Sequence, residues 1–260
     1  MNRWTSLSIQ LANQQNYLDQ LFKVYPVIHE SVREIDDSKW QLVNRAFTRK
    51  NNKELLLALL GMPLFPIKDS YVAYFKRDKT AIDRNPETVA RLCGAIYELG
   101  IDEVYERCTE PKESNRQIGP KFREWLNERT LGLPLLDYST FSSSTENAIL
   151  DAGDSQLMAF ARSKLNYKNS KGLDFVARMS GTYIVGEAKF LTDFGGHQNA
   201  QFEDAKNLLH EPNVKAIKIG ILGGVLYINK GSNKMYRYLT EDHGHNIFSA
   251  VFLRDFLFHI

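Results

Sequence analysis

The chain predicts an α/β fold in which helices cover a mixed sheet. Two observations carry this. Apolar residues recur at helical spacing through the first 150 residues, whereas after Lys171 short β-branched and aromatic runs alternate with Gly, Ser and Asn. A helical segment, HQNAQFEDAKNLL, then falls between two of those runs, the order that lays a helix across a sheet.

The elements follow in order. Leu7, Leu11, Leu18, Leu21 and Phe22 give Ser6 to Tyr25 a helical stripe. Asn85-Pro86 starts a helix through VARLCGAIYEL to Gly100, because proline suits the first helical position, and a short continuation reaches Cys108. PKESNRQIG is a polar loop and PKFREWLNER resumes helix. Ser143 and Glu146 have capping-box spacing and predict another helix, restarted at Gly153-Asp154 to carry QLMAFARSKL. FVARMSGTYIVGEAKF, VKAIKIGIL, GVLYINK and MYRYLT read as strands, and NIFSAVFLRDFLF is apolar nearly all round and should be buried. No repeat or long linker divides residues 1–260, so the expectation is a single domain. Residues 1–143 would form its mainly helical part, and 144–260 its core.

Composition narrows the class. With 43% hydrophobic and 25% charged residues this is an ordinary globular chain. MNRWTSLSIQ lacks the apolar core of a signal peptide, and the apolar run LLLALLGMPLFPI is short and broken by Pro63 and Pro66, so no membrane span is expected. Cys93 and Cys108 have neither metal-like nor disulfide spacing, which suits a reduced, cytoplasmic protein. Net charge is only +2, but Phe160 to Leu239 holds twelve Lys and Arg against six Asp and Glu. A basic half suits a polyanion; it is also compatible with a solvated basic face.

The stretch GLDFVARMSGTYIVGEAKF carries the chemistry. With a turn at Ser180-Gly181, cross-strand partners have numbers summing to 361, so Asp174 faces Glu187. Directly opposed side chains sit about 4.5–5.5 Å apart at Cβ, and like charges so placed are destabilising. Side-chain alternation puts Lys189 on the same face as Glu187. A divalent cation would remove the repulsion, using both carboxylates, the Ala188 carbonyl, water and a phosphate oxygen. Lys189 could then orient or deprotonate a water, or offset developing negative charge.

This set resembles the motif of the PD-(D/E)xK nuclease superfamily, and the chain is similar to a type II restriction endonuclease from about Ser144 to Thr240. Leu173 stands where the motif has proline. The resemblance implies a restriction-endonuclease-like α/β/α core, Mg²⁺-dependent phosphodiester hydrolysis of double-stranded DNA, and a homodimer cutting a palindromic site. It implies Asp174 and Glu187 as metal ligands with the Ala188 carbonyl, and Lys189 as catalytic lysine. Two other readings are a structure-specific or repair nuclease on this core and a non-catalytic DNA-binding protein; an intact, repulsive acid pair argues against the last.

Further residues are candidates with a plain alternative beside each. Gly195-Gly196-His197-Gln198 would let backbone approach phosphate, with Gln198 and Gln201 on one helix face, or it is merely a polar helix start. Arg116, Lys121 and Arg123 could touch phosphate or form a solvated helix face. Lys230 and Lys234, near the tyrosines of YRYL, could contact DNA or cover one side of a hairpin. Glu146 and Glu98 are candidate extra metal-site acids, while His243 and His245 lack a structural zinc spacing and read as a surface loop.

Overall fold

A computed structural model describes residues 1–14, 16–26, 32–111, 118–231, 233–241 and 244–260. Arg116 and His243, both candidates from the sequence, lie outside the described residues, as does most of the PKESNRQIG loop. The chain divides into two compact units: Met1–Val27 with Ser114–Ile260, and Ile28–Glu113.

The second unit is helical. It comprises α3 (Asp37–Thr48), α4 (Asn52–Leu60), α5 (Ser70–Arg77), α6 (Ala81–Arg84), α7 (Pro86–Leu99) and α8 (Ile101–Thr109), following α1 (Arg3–Ala12) and α2 (Tyr17–Val24) of the first unit. Leu55, Leu56, Leu59, Leu92 and Ile96 build its core, as their helical spacing requires. Cys93 and Cys108 are buried free thiols in that core, and burial pushes each up to about 11. Helix α7 starts at Pro86 and gives way to α8 at Gly100, which has a positive φ of 82°.

The first unit holds a sheet of six strands among the described residues: β1 (Leu135–Leu136), β2 (Ala148–Leu150), β3 (Phe175–Met179), β4 (Thr182–Leu191), β5 (Ile217–Gly224) and β6 (Asn246–Phe248), in that spatial order. The β2/β3 and β3/β4 pairs are antiparallel and the other three are parallel, so the sheet is mixed. Six helices complete the unit: α9 (Ile118–Asn127), α10 (Tyr138–Ser143), α11 (Asp154–Leu165), α12 (Gly196–His210), α13 (Lys234–Thr240) and α14 (Leu253–Leu257). Parallel β4 and β5 need a crossover, and α12 supplies it, packing on both strands with Phe202, Ala205 and Leu209 buried.

The β3–β4 register is the expected one. Met179 pairs with Thr182, Ala177 with Ile184 and Phe175 with Gly186. Ser180 and Gly181 have φ of 49° and 79°, the two positive values of a type I′ turn, whose twist matches the strands it joins. The Asn147 side chain accepts the Ser180 N–H at 2.7 Å and holds that turn. Phe175 and Ala177 enter one apolar cluster, while Val176 meets Val185 and the Leu157 and Phe160 of α11 in another. Gly186 is where the sheet tolerates no side chain: a Cβ there would lie 2.9 Å from Ile219 Cγ1 and 3.3 Å from Phe175 Cβ.

Three sequence expectations fail. Ser143 to Glu146 opens no helix: α10 ends at Ser143, the Ser144 hydroxyl turns back to the Glu146 N–H at 3.0 Å, and β2 follows. The competing interaction comes from buried Arg178 of β3, which donates to the Glu146 carbonyl at 2.9 Å and the Phe141 carbonyl at 3.0 Å. GVLYINK forms a short 3-10 turn at Val225–Tyr227. MYRYLT is helical α13, because the buried Asn233 caps it, accepting the Tyr236 N–H at 3.1 Å while donating to three carbonyls of the preceding turn. Tertiary packing overrides the β propensity of both segments.

Gly186→Ala should destabilise the protein by about 1–3 kcal/mol, because the methyl group overpacks the sheet beside Ile219. A lowered urea midpoint at unchanged slope is the expected result.

Candidate active site

Asp174 is one residue outside β3, and its N–H donates at 3.1 Å to the carbonyl of Gly186, the partner of Phe175, so the paired register ends there and Asp174 sits against the end of the ladder. Alternation along β4 sends Glu187 and Lys189 to the face on which Val176 and Val185 meet α11. There Lys189 Nζ contacts Asp174 Oδ2 at 2.6 Å and Glu187 Oε1 at 2.8 Å. The Ala188 N–H donates to the same Asp174 oxygen at 2.9 Å. In a strand, the N–H and C=O of one residue face the same side, which puts the Ala188 carbonyl on the β3 side of β4.

The electrostatics are those of a confined, unbalanced cluster. Burial, then the charge of Asp174, pushes the Glu187 carboxyl up to about 7, against the opposing pull of Lys189. Burial works against a charged Lys189, but Asp174 and then Glu187 outweigh it and hold the ammonium above the ordinary lysine value. With both acids ionised the three residues carry one surplus negative charge, which a cation would compensate. Among the described residues, no three His, Cys, Asp or Glu side chains converge on one point. A cation here would therefore take two carboxylates, and the donor set of these two oxygen ligands plus a carbonyl suits a hard divalent ion.

Neighbours that the sequence did not single out complete the environment. Lys171 pairs with Asp204 of α12 and its charge counters the rise at Glu187. The Tyr167 hydroxyl donates to the Lys171 carbonyl at 3.0 Å; burial, followed by the charge of Glu187, pushes it up to about 12. Tyr25 packs its ring 5.5 Å from that of Phe190, and its buried hydroxyl has no hydrogen-bond partner among the described residues. Burial raises that hydroxyl first, and the charges of Tyr17 and Asp174 add to it. The contacts of Tyr25 with Phe190 and of Lys171 with Asp204 span such sequence distances that they left no local signal.

The other candidates are dispersed. Gln198, in the first turn of α12, is buried and occupied by Thr192, accepting its N–H and donating to its hydroxyl, both at 3.3 Å. Gln201 instead meets the His197 ring at 3.1 Å, so the two glutamines do not act on one point. Lys121 pairs with Glu124 at 2.8 Å and Arg123 with Asp154. Lys230 and Lys234 are exposed, and Lys234 joins Lys206 and Arg237 along an open groove of about 490 Å³ between α12 and α13. Glu146 is exposed near Arg178, at the turn end of the hairpin, away from the acid pair; Glu98 is exposed on α7 of the helical unit. His245 lies against the Tyr238 hydroxyl at 3.0 Å.

The raised Glu187 has a measurable sign. Between its ordinary value and about 7 the unfolded chain ionises first, so stability held at low pH is lost as pH rises through that window. Glu187→Gln cannot titrate. In metal-free protein its stability relative to wild type should grow from pH 5 to pH 8 by on the order of 2–3 kcal/mol, read from denaturant midpoints.

A family model described as Tsp45I type II restriction enzyme matches residues 2–260. No curated protein and no solved structure gives a match.

Proposed function

The chain belongs to the Tsp45I type II restriction enzyme family, and from that premise we propose that Asp174, Glu187 and Lys189 form its catalytic group. The activity is that of a site-specific deoxyribonuclease, a sequence-specific endonuclease of a restriction system, and the mixed sheet with its helices has the restriction-endonuclease-like form. The observation that carries the assignment is the contact of one ammonium with both carboxylates, at 2.6 and 2.8 Å.

Enzymes of this type generally use a divalent metal ion. We take it to be Mg²⁺, held by Asp174, Glu187 and the Ala188 carbonyl, where it would polarise a phosphate oxygen and lower the pKa of a bound water. The protein's own groups do the positioning. Attack of water on the scissile phosphorus breaks one bond to a deoxyribose oxygen, and negative charge accumulates on the phosphate oxygens. Lys189, held protonated by the two acids, is suited to offset that charge and orient the water rather than to remove a proton. Glu187 titrates near neutrality, which favours its release to a ligand role as pH rises.

Among the proposed DNA contacts, Lys230 and Lys234 are exposed and make no ion pair with a described residue, and Lys234 and Arg237, in a groove beside α12 that Glu203 and Glu241 also line, support a phosphate-binding role there. Gln198 fits better as a brace for the turn after β4, and Gln201 and Lys121 are weaker contacts because each already has a partner. A homodimer is part of this reading, since a palindromic target matches a two-fold protein. So is a cytoplasmic site of action, in keeping with two free thiols; among the described residues no helix is long and apolar enough to cross a membrane.

Asp174→Ala and Glu187→Ala should abolish cleavage while leaving DNA binding measurable in a gel shift; substantial metal-dependent turnover in either would sink the assignment. Lys189→Ala should lose at least about 10²-fold in single-turnover rate at saturating enzyme. Lys206→Ala, whose ammonium pairs with Glu203 at 2.8 Å, should weaken binding modestly and cleave near-normally once saturated.

A further inference from the structure

The helical unit, Ile28–Glu113, contributes nothing to the catalytic group, yet one of its helices is built to meet a polyanion. Helix α5 buries Val72 and Phe75. At 100° per residue, Ser70, Tyr74 and Arg77 then fall in one stripe on the opposite side, with Tyr71 on the flank beside Phe75, and Tyr71 and Tyr74 are 61% and 59% exposed. Neighbouring exposed aromatic rings make a patch, and it is contiguous exposed patches that mark interaction sites.

The charges around the stripe are sorted. Arg84 is taken by Asp78 at 2.6 Å, Arg91 by Asp69 at 2.8 Å, and Lys53 takes Asp83 at 2.6 Å. Lys68, Lys76, Arg77 and Lys79 are exposed and make no ion pair with any described residue. The acids beside the helix, Asp69, Asp78 and Asp83, are each engaged by Arg91, Arg84 and Lys53 in turn, which leaves these four cations in surplus. The stripe is also stiffened at its start. Asp69 caps α5 by accepting the Tyr71 N–H at 2.9 Å, and its second oxygen holds Arg91, whose guanidinium lies 5.6 Å from the Tyr71 ring centroid. A cleft of about 380 Å³ runs beside the helix, lined by Tyr71, Tyr74 and Arg84 among others.

We propose that α5 is a duplex-DNA docking surface of the endonuclease. Tyr74 and Arg77 enter the major groove with Tyr71 at its edge, and Lys68, Lys76 and Lys79 hold the flanking phosphates. The groove, about 12 Å wide, admits an α-helix, and arginine reads guanine through two hydrogen bonds. Unpaired lysines at the rim give the sequence-independent part of the affinity. This rests on the endonuclease activity, not on the catalytic assignment of Asp174, Glu187 and Lys189.

The test uses a plasmid of known sequence that the full-length protein cuts into discrete fragments; mapping the ends gives a short duplex bearing the site and a scrambled duplex of equal length. Affinities for both are measured by fluorescence anisotropy in EDTA across a salt series. The Tyr74→Ala/Arg77→Ala variant should lose at least about 10-fold in affinity for the site duplex and keep its affinity for the scrambled one within about twofold. The Lys76→Gln/Lys79→Gln variant should weaken both alike and lower the salt slope by about two. In the wild type, a site duplex substituted with 5-iodouracil should photocrosslink to a peptide containing Tyr71 or Tyr74, which requires no variant to fold. Unchanged affinities in both variants, with crosslinks only elsewhere, would overturn the proposal. So would an unchanged affinity ratio accompanied by loss of self-association, which would assign the stripe to a second copy of the chain. Lys189→Ala separates the two readings: its affinity for both duplexes should change little, and single-turnover cleavage by it at the wild-type rate would overturn the catalytic assignment alone.

Discussion

The register set by the Ser180–Gly181 turn determines where the charged groups of the site stand. A pairing shifted by one residue would send Glu187 and Lys189 to the other face of β4, because side chains alternate with a period of two. The positive φ at both turn residues, the Asn147 side chain on the Ser180 N–H and the bare Gly186 opposite Phe175 all enforce the same alignment. The parallel ladder from Ile184 to Leu191 along β5 then extends it, so the α12 crossover begins from a defined point.

The cost of that alignment is electrostatic. Two acids are brought together in a half-buried place, and a single ammonium cannot neutralise both. Breaking such a cluster by removing one partner ordinarily costs several kcal/mol, whereas an apolar replacement of the whole set is often neutral or better. A fold seeking stability alone has no use for it. Concentrating strain of this kind where chemistry occurs is a common division of labour, with the surrounding core of Val176, Val185 and α11 carrying the stability.

How much was legible follows from distance along the chain. The hairpin, its register and the convergence of Asp174, Glu187 and Lys189 depend on neighbours fewer than twenty residues apart, and the alternation pattern expressed them. The α7–α8 break and the α12 crossover were likewise local. Helix α13 departs from that rule: its capping asparagine and three carbonyls lie within eight residues, but the β preference of its tyrosines masked the cap. The capping-box spacing at Ser143 and Glu146 was overruled by Arg178, more than thirty residues on. Tyr25 reaches the site only through the tertiary fold, and two candidate residues of the sequence, Arg116 and His243, lie outside the described residues.

The first unit is discontinuous, and its two ends are stitched together. Thr5 donates to the Ile247 carbonyl at 2.8 Å, Ser8 accepts the Ser249 N–H at 2.9 Å, and the Trp4 ring lies 5.7 Å from that of Phe256. Helix α1 is made before its partners, which lie more than 240 residues further along the chain. Closing so long a loop is slow, and the apolar face of α1 stays exposed until then. Synthesis itself thus acts as a timer: a chain interrupted before β6 lacks the seat of its own first helix.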